Sequence, residues 1–191
     1  LFNVRYALPF YLYNYASILA VCKNFNIEIE KVKEAFKNFE NPLERRELIK
    51  YSNKEIKYLR MKQENPETLQ NALNIIAEDK ERKAIFIGLF EIKDFKPAYA
   101  NTFYFFDCDI NGIVESNVEK YICFSKTVAY DCANRLIYAG ADKEKIEIID
   151  SDYINLTLDR LNEIETDNIY IITGMKPYKE IKEYFAEKIK K

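Results

Sequence analysis

The chain has 191 residues, 48% hydrophobic and 15% aromatic, which is enough apolar material for one full domain and part of another and excludes a globally disordered chain. Acidic and basic residues nearly balance at a net charge of −2, so no basic nucleic-acid footprint is expected. The absence of histidine excludes Ser-His-Asp and Cys-His catalysis within the chain, and cysteine-histidine zinc sites with it.

In chain order, residues 11–24 read as an apolar helix. Its core, 15–22, is too short to span a bilayer and reads as a buried helix. Residues 28–39 form an amphipathic helix with Ile29, Val32, Ala35, Phe36 and Phe39 near one face. Asn41-Pro42 ends this helical lead-in, and a domain boundary is expected there. The runs 46–51 and 55–61 flank Ser52-Asn53 as a β-hairpin. Asn65-Pro66 opens a helix with Leu69, Leu73 and Ile76 at helical spacing.

From there the pattern alternates. Strands are predicted at 84–90, 103–108, 121–124, 146–149 and 169–173, and helices at 127–138, 153–164 and 178–189. Gly140 is placed to end the first of these helices in a left-handed conformation. The expected fold is α/β: a Rossmann-like, mainly parallel sheet with helices on both faces, preceded by a β-hairpin and a two-helix N-terminal segment.

The four cysteines, Cys22, Cys108, Cys123 and Cys132, contain no C-x-x-C pair. They read as reduced, small hydrophobic side chains in a reducing cytoplasm, with the wrong spacing for a four-cysteine metal site. The chain begins at Leu1 with no basic n-region and no small-residue cleavage site, so no signal peptide is expected and a start inside a longer protein is. Only four glycines occur, at 88, 112, 140 and 174, and neither a G-x-G-x-x-G turn nor a phosphate-binding P-loop can be built from them. A complete active site is therefore not expected. Ligands of such sheets gather at the carboxyl ends of strands, here near Phe90, 107–109, Ser125 and 173–175. If the strand at 103–108 continues, Asp107 and Asp109 share a side with Phe105 and form a pair of carboxylates, or simply a solvated terminus. On the helix at 127–138, Asp131 and Arg135 are spaced to pair, while Val128, Cys132 and Leu136 face the core.

That helix carries a resemblance. Ala129-Tyr130-Asp131, Arg135-Leu136 and Tyr138-Ala139-Gly140 resemble the C-terminal domain of the Mur-ligase-like subunit of lipid II isoglutaminyl synthase, the MurT type. Tyr13-Asn14 resembles the Tyr-Asn pair of the family's "YNALAA" helix, Arg45 and Glu47 its Gly-Arg-x-Glu, 103–110 its "SWLWDVDF" segment, and Thr173 and Met175 its final "YTAM". The run 65–69 is similar to the Asn-Pro-Glu-x-Leu of wider Mur ligases, with Met61 and Glu64 at that motif's Asp and His, or else Lys62 and Gln63 at the Lys and Asn of "KNPAG". Departures are Tyr11, Glu44, Lys126 and Val128, where the family has an Asn, a Gly, a Gly and an Arg, which marks a divergent member.

The resemblance implies residues 1–43 as the helical end of a Mur ligase central ATPase domain and 44–191 as the C-terminal domain. It implies an ATP- and Mg-dependent ligase in the full-length protein, which activates a carboxyl group as an acyl phosphate and amidates the glutamate of a peptidoglycan precursor. Arg45 and Lys62 are the implied nucleotide contacts, with most of the ATP site outside this chain. Ammonia would come from a glutaminase-type partner subunit whose Cys-His pair is completed by an Asp of the C-terminal domain. The matching position here is Asn101, with Asp107 as the alternative. Two further readings stand beside this one: a non-catalytic interaction domain of the same fold, with the aromatics 103–106 building the interface, and a small-ligand sensor.

Overall fold

The computed structural model describes residues 9–39, 46–60, 66–89, 103–174 and 177–189. The chain divides into two compact units, Leu1–Leu43 and Glu44–Lys191.

The first unit is a helix pair, α1 (Pro9–Asn24) and α2 (Ile29–Asn38). Asn26, at φ 54°, supplies the left-handed turn between them, a conformation Asn tolerates better than most residues. Tyr15 packs on Phe36 with ring centroids 4.7 Å apart, and Val32 is buried beside them. The expectation of a buried helix over 15–22 is corrected: Ile18 and Val21 are exposed, as are Ile29 and Phe39 of the amphipathic face. Two helices offer each other one narrow stripe, and the apolar residues of α1 are spread around its whole circumference.

The second unit is built on a six-stranded sheet in the order β1-β2-β6-β3-β4-β5. Its strands are β1 (Arg46–Tyr51), β2 (Lys54–Arg60), β3 (Lys83–Gly88), β4 (Val118–Phe124), β5 (Ile146–Ile149) and β6 (Asn168–Thr173). β1 and β2 pair antiparallel around Ser52-Asn53, with Ser52 at φ 55°. Every other pairing is parallel. The hairpin is therefore the edge of the main sheet, because β2 lies in parallel register beside β6 with Tyr58 opposite Ile171.

The helices are α3 (Pro66–Glu78), α4 (Phe103–Phe106), α5 (Asn111–Val114), α6 (Ala129–Tyr138), α7 (Ile154–Asp159) and α8 (Tyr178–Ile189). A 3-10 turn at Arg160–Glu163 continues α7. Sheet residues Leu59, Ile85, Ile87, Cys123 and Ile172 pack under α3, α4, α5 and α6. Residues of alternate parity, among them Ile56, Phe86, Ile122, Phe124 and Ile171, pack under α7 and α8. Burial on both faces explains why the strands read as unbroken apolar runs rather than alternating ones. Gly140, at φ +94°, ends α6, and Ala141 N–H bonds back to the Leu136 carbonyl.

One predicted strand is absent. Residues 103–106 form a single helical turn, α4, and Asp107–Asp109 bend away after it. β3 is already flanked by β6 on one side and β4 on the other, so the sheet has no place for another strand beside it. Tyr104 and Phe105, adjacent in sequence, are both fully buried. The turn packs between α3 and α6. The interface expected from the aromatics 103–106 is corrected accordingly: Tyr104 and Phe105 are core, while Phe106 is exposed.

A polar knot fixes the amino ends of the central strands. Asp79, just after α3, accepts hydrogen bonds at Oδ2 from Lys57 Nζ (3.1 Å), Asn168 Nδ2 (3.0 Å) and Tyr170 Oη (2.7 Å). The buried Lys83 donates to its backbone carbonyl at 2.7 Å.

Candidate functional site

At the carboxyl ends of the strands, Tyr58 and Thr173 join hydroxyls at 2.6 Å across β2 and β6. Ser125, after β4, accepts from the backbone N–H of Thr127 (3.1 Å) and Val128 (3.3 Å) and so caps the start of α6. The Lys126 N–H is taken by Asp152 Oδ1 at 2.9 Å. The N–H groups of the three residues that lead into α6 are thus taken up within the chain.

The 107–109 turn is organised differently. Cys108 is buried, and its single S–H lies within reach of two acceptors, the Tyr104 carbonyl (3.1 Å) and the Pro66 carbonyl (3.3 Å). Burial, with the neighbouring Asp107 charge second, pushes the Cys108 thiol up to about 11. Gln70 of α3 grips the backbone of Asp109 from both sides, accepting its N–H at 2.7 Å and donating to its carbonyl at 2.9 Å. Arg135 of α6 donates through Nη2 to the Cys108 carbonyl at 3.0 Å. The two aspartates divide their tasks. Asp109 Oδ1 accepts from Asn111 N–H at 2.9 Å and starts α5. Asp107 is exposed, and its carboxylate has no hydrogen bond or ion pair among the described residues.

Of the expected site residues, Asp107 falls within the described residues; Asn101, Arg45 and Lys62 lie outside them, as do Met61, Gln63, Glu64 and Met175. The expected pairing of Asp131 with Arg135 does not form among the described residues, because the guanidinium turns instead to the Cys108 carbonyl. Nor do Asp107 and Asp109 make a carboxylate pair on one strand face, since the segment is not a strand. Gln70 carried no signal in the sequence. Its partner is 39 positions away, beyond the reach of any local pattern.

The family model described as "MurT ligase C-terminal" matches residues 63–175, more than half of the chain. This chain belongs to the MurT ligase C-terminal family. The matched span includes Gln70, the 107–109 turn and Arg135. No curated protein matches the chain in sequence. Among solved structures, MurF from Acinetobacter baumannii matches with a TM-score of 0.68 at 10% identity, over 100% of this chain and 40% of that one. MurC, the UDP-N-acetylmuramate-alanine ligase from Thermotoga maritima, matches with a TM-score of 0.63 at 11% identity, over 99% of this chain and 40% of that one. At such identities the likeness establishes a shared fold. The chain spans about 40% of the length of these ligases. No described helix is long and apolar enough to cross a membrane.

The described part of this MurT-type domain offers ATP no Gly-rich cradle. What it does offer is an exposed carboxylate, Asp107, on a turn held by side chains of α3 and α6.

Proposed function

We propose that this chain is the C-terminal portion of an ATP-dependent amide ligase that amidates the glutamate of a peptidoglycan precursor in the cytoplasm, using ammonia released by a glutaminase-type partner subunit. The observation that carries the reading is the exposed carboxylate of Asp107, which has no hydrogen bond or ion pair among the described residues, on a turn held from two helices, within the span that matches the MurT family. A glutaminase with a Cys-His pair needs a group to hold the imidazole in one tautomer and to favour its protonated form during proton transfer. A carboxylate does both, whereas the amide of Asn101 could orient the ring without stabilising its positive charge. Asp107 is therefore assigned the orienting role.

In this reading residues 1–43 are the helical end of the central ATPase domain, and 44–191 form the C-terminal domain. Arg45, at the junction, and Lys62 are the nucleotide contacts contributed from this side. The rest of the ATP and magnesium site belongs to the remainder of the parent protein.

The test combines the parent protein with its glutaminase subunit, magnesium-ATP, glutamine and a muramyl peptide precursor bearing a free glutamate carboxyl. Mass spectrometry should show that carboxyl replaced by a carboxamide, dependent on ATP and on glutamine. If neither glutamine nor ammonium chloride yields the amide, the ligase reading is wrong. Retention of a stable partner complex without amide formation would favour a non-catalytic docking domain instead.

A further inference from the structure

The geometry points to Gln70 and Arg135 as positioning residues: a two-helix mount that holds the 107–109 turn so that Asp107 meets a partner's imidazole at a fixed place. This rests on the role proposed above for Asp107.

The mount is built from neutral and cationic donors acting on backbone atoms, so it leaves the Asp107 carboxylate untouched. The Gln70 head group is fully used. Its Oε1 takes the Asp109 N–H at 2.7 Å, and its Nε2 reaches the Asp109 carbonyl and the Asn74 Oδ1, both at 2.9 Å. Those three partners admit one orientation of the amide. Asn74 lies one helical turn further along α3 and fixes Gln70 in turn. On the other side, Arg135 Nη2 holds the Cys108 carbonyl at 3.0 Å, and from beneath the Cys108 thiol reaches the Pro66 carbonyl at 3.3 Å. Consecutive residues Cys108 and Asp109 are thus tied to α3 and α6, while Asp107 beside them is left open to solvent.

A surface turn with no function to serve gains little from so many ties, because each orders a long side chain at an entropic cost. Fixing a catalytic carboxylate repays that cost, since small misplacements of such a group lower rates steeply. Gln70 and Arg135 touch neither substrate nor the reacting atoms and act only through Asp107.

Two measurements test the mount. In the 191-residue chain, Gln70→Leu should speed hydrogen exchange of the Asp109 amide about tenfold or more, with the β3 amides serving as a folding control. Unchanged exchange at Asp109 overturns the mount whatever the enzymology shows. In the parent protein with its glutaminase, Gln70→Leu and Arg135→Met should lower the ratio of glutamine-supported to ammonium-supported amidation about tenfold or more. Arg135→Lys, which retains a donor toward the Cys108 carbonyl, should recover part of that ratio; a purely structural loss of α6 packing would not be repaired this way. If Asp107→Asn lowers the ratio while Gln70→Leu and Arg135→Met leave it as in the wild type, the positioning inference fails and the functional reading stands. If the wild-type protein forms no amide from either nitrogen source, the functional reading falls and takes the role of Asp107 with it.

Discussion

The Tyr170 hydroxyl donates to Asp79 Oδ2 at 2.7 Å, linking β6 to the end of α3 across 91 positions of sequence. Lys57 and Asn168 converge on the same oxygen. Removing the hydroxyl with Tyr170→Phe should cost about 1 kcal/mol, the net value of one such bond. Asp79→Ala should cost more, about 3 kcal/mol, because it strands several half-buried donors at once. Urea unfolding midpoints of the two variants check the order.

The same carboxyl sets a pH dependence. Burial alone would raise its pKa, but the hydrogen bonds from Asn168, Tyr170, the Glu81 N–H and Lys57 outweigh that and hold it well below the usual carboxylate range. A folded pKa below the unfolded one, about 4, gives stability that is fully present above pH ~4 and is lost as the pH falls toward the folded value. Wild-type stability should therefore fall with acid below pH ~4. Asp79→Ala should show a flatter profile over that window, measured by denaturant midpoints at a series of pH values.

Gly88 ends β3 where the sheet meets the Phe124 ring, and a Cβ placed there would overlap that ring. Phe124 belongs to the packed layer under α7 and α8 and has little room to withdraw. Gly88→Ala should destabilise the domain by about 1–3 kcal/mol. Gly140→Ala should cost about 1–2 kcal/mol by another route, strain at a positive φ with open space around it. A Phe124→Leu change should relieve the first variant and leave the second as it was, which thermal melts of the double mutants would show.

The thiols should react in two classes. Burial pushes Cys123 up to about 12 and Cys132 well above its ordinary value. Together with Cys108 they are buried, whereas Cys22 is half-exposed. A water-borne disulfide reagent at neutral pH should titrate Cys22 rapidly in the native chain, and the other three after addition of guanidinium. Rapid native labelling of Cys123 would contradict the packing of β4.

The legible parts of the fold were those whose neighbours in space are neighbours in period. Residues 169–173 and 84–90 read as buried strands because their apolar runs are short and bounded, and Gly140 read as a helix stop because only its own backbone is involved. The run at Phe103–Phe106 misled because four aromatics fit a strand or a helical turn equally well by period, and the choice depends on whether the sheet has room. The hairpin was legible as a hairpin, but its place at the sheet edge depends on pairing with β6, more than a hundred positions away. The candidate site shows the same divide. Asp107 could be singled out as an acidic residue at the end of an apolar run. Arg135, read as a partner for Asp131 on its own helix, serves a carbonyl on another element, and Gln70 is an ordinary helix-surface residue until the fold brings Asp109 to it.

The knot at Asp79 bears on how the sheet chooses its alignment. β3 and β6 are buried on both faces, and a parallel strand that slid along its neighbour by two residues would still present apolar side chains to each layer. Grease alone cannot tell those alignments apart. Lys57, Asn168 and Tyr170 can reach one carboxylate only when β2 and β6 start level with each other and with the end of α3. Asp79 thus acts as the indexing pin of the sheet, and every side chain at the far ends of these strands inherits its height from that point.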